Sequence, residues 1–295
     1  MIEYTLIPPK PEINNNGSYY LIKPSHPFVG FCGYLWQVIR AIHKYPNKQY
    51  YIHIGPKDIQ KSENVWDFYF KQPHINTPPN QNEIISEVGI LFDESSEFVD
   101  LYPCMQQMSE TQRLQRKKEF GDITKKYFQL TTELQNNVDD FINNNFKGKK
   151  VLGFHHRGTD HPHRRATHDN FSYIDNKLEE CDIIFVTTDE TNVINELKNR
   201  YGNRLITYDS TTRSDPCNFQ MSRTESDEYT HAFRYNALIN WSKNNMGYKI
   251  GLDIIMETVL LSSTDFLLCS CNSNVNYFIR ALNPTLPYKV IYNIP

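Results

Sequence analysis

From residue 150 to the end of the chain, short apolar runs alternate with longer amphipathic ones, and this alternation restricts the fold more than any other feature. KVLGF, DIIFVTTD, RLITY, DFLLCS and YKVIY read as strands. Between them YIDNKLEEC, NVINELKNRY, GLDIIMETVLLSS and NVNYFIRAL read as helices. Apolar strands separated by helices belong in a parallel sheet covered on both faces. The spacing predicts about five strands in a doubly wound α/β sheet, which binds ligands beyond the carboxyl ends of its strands. Three polar sets then share one rim: His155 to Asp160, Thr188 and Asp189, and Ser270 to Asn274.

The first half repeats the alternation less regularly. GFCGYLWQVIRAIHKY reads as a Gly-rich turn opening a helix. Its Leu35, Val38, Ile39 and Ile42 recur at i, i+3, i+4 and i+7 and form one apolar stripe. QYYIHI (49–54) and EVGILF (87–92) read as strands. Periodicity then predicts a long helix over 122–146, with Tyr127, Leu130, Leu134 and Val138 on its buried face. The polar stretch NNNFKGKK (143–150) marks a boundary between domains 1–147 and 148–295.

A chain of 295 residues suits two domains of ordinary size. A net charge of -3 gives no global attraction to nucleic acid or anionic membrane. The first residues lack an apolar run with a cleavage site, and no window has the apolar length of a membrane span. None of the 6 cysteines forms a CxxC pair. Cys269 and Cys271 read as strand-end thiols rather than metal ligands. These features predict a soluble cytoplasmic protein.

The segment FHHRGTDHPHRRATH (154–168) concentrates five of the 10 histidines. Three readings compete: a metal cage, a phosphate clamp and a solvated loop. A cage built on His161 and His163 needs partners from distant strands, yet beyond this segment the second half offers His231 alone, and no acid-x-acid pair stands at a strand end. A solvated loop accounts for His163, Arg164 and Arg165 but not for the alternation of His155 and Arg157. Residues two apart on an extended exit face the same way. A guanidinium there can hold two phosphate oxygens at once. Across the rim, Ser273 and Asn274 open a helix whose free N–H groups suit an anion; their alternative role is simple N-capping. Asp189 and Asp253 suit ribose hydroxyls or base N–H groups, or, for Asp253 near a helix start, complement the helix dipole.

These residues carry a resemblance. His155-His156-Arg157-Gly158-Thr159-Asp160, the stretch IFVTTDETNVINELKNRY, the stretch GLDIIMETVLLSSTDFLLCSCNSNV and Cys32-Gly33-Tyr34-Leu35-Trp36-Gln37 stand in the order of the blocks of one glycosyltransferase group. The chain resembles the α1,6-fucosyltransferases and nodulation-factor fucosyltransferases over about 140 residues of its second half and a short segment of its first. The resemblance implies a GT-B-like fold, two Rossmann-like domains facing across a cleft, with an acceptor-side N-terminal domain and a nucleotide-sugar-binding C-terminal one. It implies inverting, metal-independent transfer of fucose from GDP-fucose to a glycan hydroxyl, without a cofactor. By position, His155, Asp189 and Asp253 would face the nucleoside, Arg157, Ser273 and Asn274 the β-phosphate, and Asp160 the donor. Gly33 and Tyr34 would line the donor from the other domain.

Two departures bear on mechanism. Gly158 replaces a second arginine found in many members, and Arg165 stands where the animal enzymes carry a glutamate proposed as base. His168 and Asp169 are the nearest substitutes. Alternatives are a transferase for another sugar, such as xylose from UDP-xylose, and a non-catalytic nucleotide- or glycan-binding protein. Trp66, Phe68 and Tyr69 read as core, with sugar stacking as the alternative.

Overall fold

The computed structural model describes residues 16–23, 31–55, 63–88, 109–157, 171–211, 213, 246–271 and 273–291. The chain divides into two compact units, Met1–Thr131 and Thr132–Pro295.

The first unit contains β1 (Tyr19–Ile22), α1 (Phe31–Lys44), β2 (Tyr50–Ile52), α2 (Val65–Tyr69), β3 (Ile84–Val88) and α3 (Glu110–Tyr127). Its strands form a parallel sheet of order β2-β1-β3. Leu35, Val38, Ile39 and Ile42 of α1 are all buried, as their spacing predicts. The helix already begins at Phe31, so Gly33 and Tyr34 lie in its first turn rather than in a preceding one. Trp66, Phe68 and Tyr69 are core residues.

The helix expected over 122–146 is broken. α3 ends at Tyr127, and α4 spans Thr132–Asn145. Between them Leu130 forms an antiparallel bridge with Phe70. Lys71 N donates to Gln129 O (2.8 Å) and Thr131 N to Tyr69 O (3.0 Å). Thr131, a β-branched residue, suits the extended conformation that precedes α4. α4 belongs to the second unit because Phe141 and the adjoining Phe146 pack edge-on against Phe185, with centroids 5.6 and 5.3 Å away. The units therefore divide ahead of the polar stretch 143–150.

The second unit continues with β4 (Val151–His155), α5 (Phe171–Leu178), β5 (Ile183–Thr187), α6 (Thr191–Tyr201), β6 (Leu205–Ile206), α7 (Met246–Ser262), β7 (Phe266–Cys269), α8 (Asn274–Leu282) and β8 (Tyr288–Val290). The five strands are parallel in the order β6-β5-β4-β7-β8, the doubly wound sheet that the alternation predicts. On one face Leu152, Phe154, Ile184 and Val186 pack with Ile174 of α5 and Leu197 of α6. On the other, α7 and its exit approach so closely that a Cβ on Gly153 would lie 2.7 Å from Thr264 Oγ1. A side chain at that position would force the helix away from the sheet. Gly202 ends α6 at φ 56, in the left-handed region that glycine adopts without steric cost.

Candidate nucleotide site at the strand ends

The strand order defines where a ligand can enter. From β4 the chain winds outward to β5 and β6, then crosses back to β7 on the opposite side of β4. The crevice at the carboxyl ends of β4 and β7 is therefore a topological switch point. Register brings the three central strands to one level, with His155 opposite both Thr187 and Cys269.

At the switch point the exits of β4 and β7 are tied together. Ser270 N donates to His155 O (2.9 Å), and Arg157 N donates to Ser270 Oγ (3.0 Å). Arg157 thus leaves β4 beside the segment that leads into α8. Ser273 caps that helix, accepting from Asn276 N at 3.3 Å through its hydroxyl and from Tyr277 N at 3.2 Å through its carbonyl. Asn274 is the first helical residue. The Asn274 and Val275 N–H groups have no partner among the described residues. A helix start with two free amides, next to a guanidinium-bearing strand exit, is chemically suited to an anion.

The two histidines at the end of β4 do different things. His155 Nδ1 lies 3.2 Å from Thr187 Oγ1, and its Nε2 has no partner among the described residues. Burial, reinforced by the Arg157 charge, presses its pKa down to about 3, so the ring is neutral and keeps an open nitrogen. His156 is buried on the opposite face, with Nδ1 3.1 Å from Thr188 Oγ1.

A second cluster lies towards β6. Asp253 stands well inside α7, which begins at Met246, so it does not complement the helix start; it forms an ion pair with Lys249 one turn earlier. Lys249 Nζ also donates to Ser210 O. One turn beyond Asp253, Glu257 accepts a 2.7 Å hydrogen bond from Thr211 Oγ1. Burial, with added repulsion from Asp253 and Asp189, pushes its pKa up to about 8 against the opposing pull of Arg213. Sequence reasoning missed Glu257, Thr211 and Arg213. The i+4 spacing of Asp253 and Glu257 was the available signal, since it puts both on one helix face.

The structure thus gathers His155, Arg157 and Ser273 at the switch point, and Asp189 with Asp253 around Glu257. α6 begins at Thr191, with Glu190 at its N-cap position. Gly33 and Tyr34 belong to the first unit, where Tyr34 is buried and Gln37, one turn later, has no hydrogen-bond partner for either amide atom among the described residues. Asp160, His168 and Asp169 lie outside the described residues, as do His161, His163 and His231 of the metal-cage reading. Among the described residues no group of three His, Cys, Asp or Glu side chains is placed to hold a metal ion. No described helix is long and apolar enough to cross a membrane.

The fold is that of GT-B glycosyltransferases. A substituted form of Arabidopsis thaliana FUT1, solved in complex with GDP, superposes with a TM-score of 0.56 at 12% identity, covering 96% of this chain and 73% of that one. Two further solved structures are similar at lower scores. The NodZ alpha-1,6-fucosyltransferase soaked with GDP-fucose gives 0.49 at 13% identity, over 90% of this chain and 92% of that one. POFUT1 in complex with GDP gives 0.48 at 9% identity, over 93% and 98%. The sequence matches no family model and no curated protein.

Proposed function

We propose that the chain is an inverting, metal-independent glycosyltransferase that moves a sugar from a nucleoside diphosphate donor of the GDP-fucose type to a glycan hydroxyl. The observation that carries this reading is the hydrogen bond from Arg157 N to Ser270 Oγ, which joins a cationic strand exit to the start of α8 at the switch point. The FUT1 structure of the same fold was solved with GDP, and this supports a guanosine nucleotide as ligand.

In this reading the diphosphate lies between Arg157 and the first turn of α8. The nucleoside lies against His155, Asp189 and Asp253, with Glu257 completing that pocket. As the bond from the anomeric carbon to the diphosphate breaks, negative charge grows on the leaving oxygens. In this reading the guanidinium fork and the Asn274 and Val275 amides receive that charge and stabilise it electrostatically. The acceptor hydroxyl attacks from the opposite face of the sugar and loses its proton to a general base. His168 and Asp169 are the proposed candidates for that base, and residues of the N-terminal unit are proposed to present the acceptor.

The test is turnover of GDP-fucose with candidate glycans in excess chelator. The expected result is an unchanged rate. Loss on chelation that zinc or manganese restores would favour the metal cage. Nucleotide binding without hydrolysis or transfer under any acceptor would make the chain a binding protein. Comparison of thermal protection by GDP and UDP separates a fucosyl donor from a UDP-xylose donor.

A further inference from the structure

We propose that His156 and Thr188 form a latch that sets the spacing between the phosphate-binding and nucleoside-binding halves of this site. The proposal rests on the nucleotide reading above and assigns both residues a positioning role.

The backbone ladder between β4 and β5 ends where His156 N donates to Thr187 O at 2.9 Å. Beyond that bond the two chains part. One continues directly to Arg157, the proposed phosphate ligand. The other turns through Thr188, Asp189 and Glu190 into α6. Side chains take over from the ladder here. Thr188 Oγ1 accepts from Glu190 N at 3.1 Å and lies 3.1 Å from His156 Nδ1. His156, Thr188 and Glu190 are 1%, 3% and 3% exposed, so water does not compete for these groups.

Proton counting fixes the state of the latch. A threonine hydroxyl has one proton to donate and two lone pairs to accept with. One lone pair is occupied by the Glu190 N–H. Thr188 has no other partner among the described residues. A buried hydroxyl proton without an acceptor would be costly, so it is donated to His156 Nδ1. The imidazole is therefore neutral and carries its proton on Nε2. Asp189, between two residues that are both held by this hydroxyl, cannot shift relative to His156 and Arg157 without breaking it. A buried histidine with a satisfied hydrogen bond also occurs as plain core structure. The difference here is that the bonded groups flank, on each strand, the residue assigned to one half of the ligand.

A ligand that spans both halves reports on their spacing, and a ligand confined to one half does not. GDP and inorganic pyrophosphate, titrated calorimetrically against the whole protein and Thr188→Val, make the comparison. Valine keeps the shape and removes the hydroxyl. The expected result is a rise of about tenfold in the Kd for GDP with a change of no more than about twofold for pyrophosphate, since one buried hydrogen bond is at stake. Thr188→Ser should restore GDP affinity. Independently, the ring 15N spectrum of His156 should show the Nε2–H tautomer in the wild type and a mixture in Thr188→Val. If the valine variant does not fold, Thr188→Cys, a weaker hydrogen-bonding side chain, carries the same comparison. Equal losses for the two ligands, or none, with GDP bound by the wild type, would overturn the latch alone. Absence of GDP binding by the wild type would overturn the nucleotide reading and the latch with it.

Discussion

On α7, Glu257 keeps its proton because its surroundings offer little to stabilise a second negative charge. Burial is the larger cause, and the Asp253 and Asp189 carboxylates add to it, so the folded pKa stands at about 8 against 4.5 for a free side chain. Between these values the folded chain binds more protons than the unfolded one, and stability therefore falls as pH rises. The contribution is fully present below the unfolded value and is lost as pH climbs through about 8. Glu257→Gln fixes the side chain in its neutral form. Between about pH 5 and about pH 8 the Tm of the wild type should decline more than that of the variant. Parallel Tm curves for the two proteins would show that Glu257 ionises normally. A Glu257 that accepts a hydrogen bond from Thr211 while protonated also holds the segment after β6 against α7, close to Asp253 and Lys249.

At the scale of elements, side chains finish what the ladders leave open. β2 is an edge strand, and its outer groups are occupied: Tyr50 N donates to His74 Nδ1 (3.0 Å), Ile52 N to Gln72 Oε1 (3.1 Å), and Gln72 Nε2 back to Ile52 O (2.7 Å). Such closure protects a short edge from pairing with another chain. Asn64 does comparable work at the end of the same strand. Its Oδ1 accepts from Ile54 N (2.9 Å) and, as the N-cap of α2, from Trp66 N (3.1 Å), while Nδ2 donates to Ile52 O (2.7 Å). Asn64→Ala strands the buried Ile54 and Trp66 N–H groups, while Ile52 O keeps its bond from Gln72 Nε2, and the expected cost is about 2–4 kcal/mol in urea unfolding. A loss below about 1 kcal/mol would mean that water replaces the side chain. Periodicity made α1 legible because its apolar stripe is complete. It failed at 128–131 because Leu130 gains its burial by pairing with Phe70, a contact some sixty residues away in sequence that no local pattern encodes. β1 escaped notice for a related reason: Tyr19 and Tyr20 are only half-buried, and the strand is defined by neighbours on both sides rather than by its own alternation.

At the scale of the whole molecule, strand order turns separate motifs into one candidate site. The strand exits after β4, β5 and β7 were legible in the sequence because parallel βαβ units place every strand end on the same rim. That Arg157 meets Ser270 and not some other exit depends on β7 lying next to β4, and the crossover back across the sheet that puts it there leaves no local signature. Asp253 was legible as an acid in apolar company, but its surroundings were not, because α7 begins earlier than its apolar run suggests and so brings in Lys249. We propose that the β4–β7 crevice of the second unit holds the diphosphate of a nucleotide through the Arg157 fork. Calorimetric titration of GDP into the wild type and Arg157→Lys tests it most directly. Saturable binding by the wild type is expected, with a loss of about tenfold or more in the variant, because a point charge cannot replace two parallel N–H donors. Equal affinity for GDP in the two proteins would contradict it.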